Sequence, residues 1–507
     1  MNSGGKTLSH TGIYTLGNIL RNIASLVMLP IYTRYLTPAD YGTVELLSML
    51  VDFVSIVVGL RMGEAIFRFY CDSDDPREKG AIISTALWLS GLLNGAGVLI
   101  LILLSAPLAG WIFGDTGFAR YIFLFSFALL TQAFVEVPML FVRAQQRPWL
   151  FLIFSVIKLG LQVSLNVYFV VVRQMHVEGV IYSALISSVT MALILSGYTV
   201  AAAGARFSVA VARKLVSFSL PIMLSTIGSF YLTFGDRYII RVFTDLTEVG
   251  IYSLAYKFGF MLFFFTWDPF SKIWDSQKYE IHRRADAVAV YQRVFVFLSL
   301  FMTASALIVA LFVKDLLVVM SDPAFVDAYR IVPIVLLAYI VQAWTFYANF
   351  GILLKGNTLQ IAYAEGVAVV AITVAYFSLI PLWGGLGAAI ATVIGFGTRL
   401  YFVHERARRE YDMKLPWATA AALLLWAAAV YALSLFAPAA FWMSVLIRTA
   451  LFGVFVAGVL WLPVLAARDR ELLRSVLRAP GKFRSAFPEA PLRTRRMPSS
   501  CPSKTVS

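Results

Sequence analysis

Apolar runs of about 20 residues recur from one end of this chain to the other, and that is the length an α-helix needs to cross a hydrocarbon layer roughly 30 Å thick. Inside such a layer every backbone N–H and C=O must be satisfied within its own segment or in a closed barrel. Barrel strands alternate apolar and polar residues over about ten positions, a pattern these runs lack, so the chain reads as an all-α integral membrane protein. Composition agrees. Hydrophobic residues make up 60% and charged residues 14% of the 507, with a mean hydropathy of +0.79, which leaves too little polar surface for a water-soluble domain.

The runs predict fourteen spans, at residues 12–35, 40–62, 81–108, 120–142, 149–172, 178–203, 216–243, 248–270, 293–317, 327–353, 357–381, 383–404, 415–437 and 440–466. An even number returns both termini to one side. Most of the 42 lysines and arginines fall on that side, whereas the opposite connections hold Arg34, Arg120, Arg173, Arg241, Lys314 and Arg330. The bias places both termini in the cytoplasm. The net charge of +14 is therefore a topology signal, and no nucleic-acid partner is expected. Residues 1–11 lack a basic n-region and a cleavage pattern, so no removable signal peptide is expected. No connection is long enough to form a soluble domain, and the basic, proline-punctuated tail at 467–507 reads as disordered.

An internal repeat organises the spans. PIYTRYLTPADYGTVELL (Pro30 to Leu47) is echoed within TFGDRYIIRVFTDLTEVGIYSLAYK (Thr233 to Lys257). Allowing one inserted residue, Arg34, Thr37, Asp40 and Gly42 lie against Arg241, Thr244, Glu248 and Gly250. EGVIYSALIS (Glu178 to Ser187) is likewise echoed by GGLGAAIAT (Gly384 to Thr392). The division that follows is a first six-span unit in 1–203, a second in 204–410, two additional spans in 411–466 and the tail. Six crossings return the chain to its starting side, so the two units run parallel, an arrangement of transporters whose substrate path lies between halves.

LPIYTRYLTPADYG (Leu29 to Gly42), GDRYII (Gly235 to Ile240), EVGIYSLAYKFG (Glu248 to Gly259) and the GGLGAAIAT segment together resemble the polysaccharide-transporter branch of the multidrug/oligosaccharidyl-lipid/polysaccharide (MOP) exporter superfamily. The resemblance covers about residues 10 to 465. It implies a MOP/MATE-like fold of two six-helix lobes in pseudo-twofold parallel repeat, with two extra C-terminal helices. It further implies a flippase in the bacterial inner membrane. Such a protein moves undecaprenyl-pyrophosphate-linked oligosaccharide repeat units from the cytoplasmic to the periplasmic leaflet by alternating access, for O-antigen or exopolysaccharide synthesis. No covalent chemistry and no cofactor are implied. Polysaccharide polymerase and chain-length machinery are the expected protein partners. The rival readings are a multidrug-extrusion exporter, a lipid II flippase and, from another class, a membrane glycosyltransferase or polymerase. The last would need a large soluble domain or a long external loop.

Charges inside spans are the candidate site, since one at the bilayer centre costs about 2.5–3.5 kcal/mol even on permissive scales. Arg21, Lys158, Arg237, Arg241 and Lys257 are the candidate cations for a diphosphate; arginine offers it a fork and lysine a point charge. Arg237 and Arg241, four residues apart, share a helix face. Asp52, Glu136, Asp236 and Glu365 are the carboxylates available for ion coupling or charge pairing, with Arg21–Asp52, Glu136–Lys158 and Asp236–Lys257 at matching depths. Arg61, Arg399 and Arg448 read instead as snorkelling or peripheral residues. Prolines 30, 138, 221, 269 and 333 mark kinks in or at the ends of spans. The aromatic cluster at 258–267 reads as a lipid-facing or packing surface rather than a sugar-stacking platform, and the four histidines lack metal-ligand spacing, so no metal site is expected.

Overall fold

The computed structural model describes residues 27–60, 62–357, 359–438 and 440–461. The predicted first span therefore lies largely outside the described residues, as do Arg21, Arg61 and the tail at 467–507. Every element among the described residues is helical: α1 (27–35), α2 (Pro38–Gly59), α3 (Gly63–Asp72), α4 (Pro76–Leu103), α5 (Ser105–Phe113), α6 (Ala119–Ala144), α7 (Pro148–Asn166), α8 (His176–Ala203), α9 (Val209–Phe234), α10 (Asp236–Phe243), α11 (Leu246–Ile281), α12 (Ala287–Met320), α13 (Ala328–Ala348), α14 (Phe350–Lys355), α15 (Leu359–Glu410), α16 (Trp417–Ser434) and α17 (Phe441–Trp461). Within the described residues, twelve segments are long and apolar enough to cross a membrane. The difference from fourteen has two causes. The first span is mostly outside the described residues, and α15 takes in two predicted spans, 357–381 and 383–404, separated at Gly384. That residue, at φ 53° and ψ −129°, adopts a conformation open to glycine because it has no Cβ.

The chain forms two compact units, one ending at Gly250 and the other starting at Ile251. In the first unit, α6 packs against α4 and α8, and α2 packs against α4 and α6. An apolar cluster of Met62, Ala65, Ile66, Ile83, Leu87, Val137, Phe141 and Leu215 joins α3, α4, α6 and α9. In the second unit, α13 lies along α15 and α12, and the two helices that follow the repeat dock on α12 through Leu307, Leu311, Leu423, Val430, Phe455 and Val459. Arg448 of α17 adds an ion pair with Asp315 of α12. Arg448, read from the sequence as a residue outside the repeated core, is 9% exposed and pairs with a carboxylate 133 residues away.

The repeated turn proves to be a helix cap. In LTPADYG, the Thr37 hydroxyl accepts from the Asp40 N–H at 3.1 Å, the Asp40 carboxylate accepts from the Thr37 N–H at 3.2 Å, and Pro38 occupies the first helical turn. This reciprocal pair satisfies two backbone donors at the start of α2. In the second copy the Asp245 carboxylate accepts from the Glu248 N–H at 2.8 Å, so Asp245, rather than Thr244, stands where Thr37 stands. The register through the turn is a constant 208 residues with no insertion, and Thr244 instead closes α10 by donating to the Ile240 carbonyl at 2.7 Å.

The two caps bring their glycines together. A Cβ placed on Gly42 would meet the Leu246 carbonyl oxygen and the Gly250 nitrogen, and one placed on Gly250 would meet the Pro38 carbonyl oxygen and the Gly42 nitrogen. Pro38 and Leu246 are themselves equivalent under the 208-residue shift, so the contact is reciprocal. Small residues let helix backbones approach this closely in a membrane, where apolar side chains gain nothing over lipid. Gly42→Ala should accordingly lower stability by about 1–3 kcal/mol, the usual effect of overpacking. Gly160→Ala, where a Cβ has nothing within 4 Å, should be neutral or better. Thermal unfolding of the detergent-solubilised variants compares the two, and equal midpoints would contradict the close contact.

Candidate functional site

The polar features of the first unit follow α9 and α10. Counting from Pro221 in steps of four gives Ser225, Ser229, Thr233, Arg237 and Arg241, a single inclined ridge along the helix surface. Pro221 lies inside α9 and lacks an N–H, which removes the helical donor to the Ser217 carbonyl. Along the N-terminal part of the ridge lies a cavity of about 550 Å³, lined by Pro221, Ile222, Ser225, Thr226 and Ser229 of α9 and by Glu64 from the first turn of α3. Local packing explains why Glu64 is there. Ala65 and Ile66 are completely buried in the cluster with Leu215 of α9, so α3 is pinned by those two residues and presents Glu64 and Phe67 on its exposed side.

At the C-terminal end of the ridge the charges of Asp236 and Arg237 are buried. Asp236 and Arg237 are 0% and 2% exposed. Arg237 Nη1 donates to Asp236 Oδ1 at 2.7 Å and to the Thr233 carbonyl at 2.9 Å, and its guanidinium lies over the Phe234 ring at 5.3 Å. Tyr41 of α2, hydrogen-bonded to Glu45 one turn further on, is within electrostatic reach of Arg237. Arg241 braces a neighbouring element: Nη2 donates to the Phe113 carbonyl at the end of α5, and Nη1 to the Thr244 carbonyl at 3.4 Å. A second polar knot stands at α7, where Asn166 Oδ1 accepts from Tyr32 at 3.0 Å and Ser183 at 2.8 Å.

The remaining sequence-predicted residues are distributed among other elements. Asp52 of α2 is exposed and lies near enough to Tyr238 for its charge to act on that hydroxyl. Glu136 of α6 is exposed and accepts from Gln132 Nε2 at 3.0 Å. Lys158 of α7 and Lys257 of α11 are half-buried. In the second unit Glu365 meets Arg399 at 3.8 Å, both sides buried, with the guanidinium over Phe346 at 5.4 Å. That pairing corrects the reading of Arg399 as a snorkelling residue. Asp236, expected at the depth of Lys257, has its adjacent neighbour Arg237 as an ion-pair partner.

Sequence reasoning missed Glu45, Glu64 and Asp315. Glu64 follows the end of a predicted span and reads as part of an inside loop; the signal that could have found it is the four-residue spacing of hydroxyls on the helix opposite. Within the aromatic cluster Phe263 packs against Trp267, Tyr339 and Phe346, whereas Phe260 and Phe265 are exposed. Among the described residues no cluster of histidine, cysteine, aspartate or glutamate could hold a metal ion.

A sequence profile of the polysaccharide biosynthesis protein family matches residues 7–266, just over half of the chain. The chain belongs to this family, a polysaccharide-transporter family of the MOP superfamily. The structure is similar to that of the lipid II flippase MurJ in an inward closed conformation, with a TM-score of 0.69 at 11% identity, covering 88% of this chain and 98% of that one. It is also similar to an inward-facing MATE multidrug resistance transporter, with a TM-score of 0.61 at 15% identity, covering 78% of this chain and 95% of that one. The multidrug transporter DinF-BH gives a TM-score of 0.56 at 14% identity, with 80% and 95% covered. At such identities these likenesses establish the fold, that of a MOP-type membrane transporter, and not the cargo. No curated protein matches the chain.

A buried ion pair is costly to break from one side, about 3–5 kcal/mol, because a charge is stranded. Asp236→Ala should therefore destabilise by that order, and Asp236→Ala combined with Arg237→Met should lose less than the single variant. Unfolding midpoints of the two purified variants test this; additive or larger loss in the double variant would show that the pair does not act as a unit.

Proposed function

We propose that this transporter moves an undecaprenyl-pyrophosphate-linked oligosaccharide repeat unit from the cytoplasmic to the periplasmic leaflet by alternating access, with 1–203 and 204–410 as its two lobes and both termini in the cytoplasm. The observation that carries the reading is family membership across residues 7–266, in a fold shared with a protein named as a lipid II flippase. O-antigen or exopolysaccharide synthesis is the pathway, and a polysaccharide polymerase with its chain-length machinery takes the product. On this reading no bond is broken or formed; the chain binds, encloses and releases.

Arg237 and Arg241 direct donors to Asp236, to Thr233 and to the end of α5, so they organise the C-terminal end of the ridge. Lys158 and Lys257, together with Arg21, are assigned the anionic headgroup. Lysine offers it a mobile point charge that can follow the phosphate as the protein changes state. Asp52, Glu136, Asp236 and Glu365 are the carboxylates through which transport can be coupled to an ion.

Deleting the gene should make lipid-linked saccharide accumulate in the cytoplasmic leaflet and stop polymer formation, and the wild-type chain should restore it. Accumulation in the periplasmic leaflet, or restoration of drug tolerance in place of polymer, would sink this reading. In the same strain Lys158→Gln and Lys257→Gln should each reduce polymer about tenfold, the scale of one lost charge-assisted hydrogen bond, at unchanged protein level. Wild-type output from both variants would remove the lysines from the site.

A further inference from the structure

The cavity beside Glu64 has a chemistry of its own. We propose that it binds the hydroxyl-rich face of the saccharide carried on the transported lipid, with the Glu64 carboxylate and the Ser225–Ser229 face of α9 as its hydrogen-bonding walls; this rests on the transport reading above.

Three observations lead there. The first is size: about 550 Å³ is within the range of small-molecule sites, about 300–1,000 Å³, and far larger than a single ion needs. The second is the balance of donors and acceptors. The Thr226 hydroxyl donates to the Ile222 carbonyl at 2.8 Å, which uses its one donor and leaves its two lone pairs to accept. Pro221 provides no N–H, and Glu64 when ionised only accepts. A wall rich in acceptors suits a ligand that brings many donors. Sugar hydroxyls do; a diphosphate, itself an acceptor, does not, and the negative charge of Glu64 opposes it. The third is that Ile222 lines the same wall, giving an apolar patch for the C–H face of a sugar ring.

An organic cation is the competing occupant, and the two differ in what they require of Glu64. A hydroxyl needs an acceptor oxygen, which glutamine retains. A cation needs the charge, which glutamine lacks.

The test uses the full-length protein in the deletion strain described above. With wild type restoring polymer, Glu64→Ala and the double variant Ser225→Ala/Ser229→Ala should each lower polymer about fivefold to tenfold, the scale of a lost buried hydrogen bond. Glu64→Gln should keep at least roughly half of wild-type output, since the amide oxygen still accepts. A Gln variant as impaired as the Ala variant overturns the proposal in favour of a cation. Because an impaired variant could simply fold poorly, a second measurement uses purified Ser225→Cys labelled with N-ethylmaleimide, counted above wild-type labelling. Lipid-linked saccharide extracted from the deletion strain should slow labelling at this position, while undecaprenyl pyrophosphate without sugar should not. Equal protection by both, or protection by neither, overturns the saccharide site while leaving the transport reading intact. Failure of the wild-type chain to restore polymer overturns the transport reading itself, and the proposal with it.

Discussion

An ionised side chain in hydrocarbon costs enough that each one must face protein or water, and that constraint sorts the charges of this chain. Three guanidinium groups, Arg237, Arg399 and Arg448, meet carboxylates of Asp236, Glu365 and Asp315 with all of the arginines buried. Arginine suits this use. Its planar fork directs several donors at once, so one side chain can pair a carboxylate, reach a backbone carbonyl and lie over a ring, as Arg237 does with Asp236, Thr233 and Phe234. The lysines of the candidate set, Lys158 and Lys257, are half-buried.

The same economy of polar groups shapes the repeated turn. A helix that begins at a membrane boundary leaves backbone N–H groups without partners, and LTPADYG supplies two acceptors and a proline to settle them within one turn. Once capped, α2 and α11 can start at the same place, and glycine at the fifth position after each cap residue lets them touch through their backbones. The motif that most readily identifies the family is accordingly an architectural device. It builds the frame.

How far the sequence could be read depends on the range of the interaction concerned. Span number, helical class and the parallel repeat are legible because hydrophobic length and a 208-residue echo are properties of contiguous sequence. Cap chemistry is nearly so, though the insertion inferred at Thr244 disappears once Asp245 is seen to hold the Glu248 N–H. Pairings across long separations are not legible. Arg448 and Asp315 are 133 residues apart, and nothing local distinguishes Arg448 from a snorkelling side chain. Glu64 was hidden for another reason. Its role depends on Ala65 and Ile66 being pinned against Leu215, a tertiary fact, and on hydroxyls of α9 that read as ordinary polar interruptions of an apolar span.

The ridge on α9 and α10 carries two chemistries along one line, hydroxyls at its N-terminal part and guanidinium groups at its C-terminal end. A transport site has to release what it binds. Neutral hydrogen bonds exchange with water at a net gain of only about 0.5–1.5 kcal/mol each, so a wall of hydroxyls can select a polyol by number and geometry without trapping it. Buried ion pairs resist removal of either partner by about 3–5 kcal/mol, which suits fixed structure. On the reading proposed above, serine and threonine along the cavity supply weak, exchangeable contacts, while Arg237 and Arg241 make the stronger contacts within the protein.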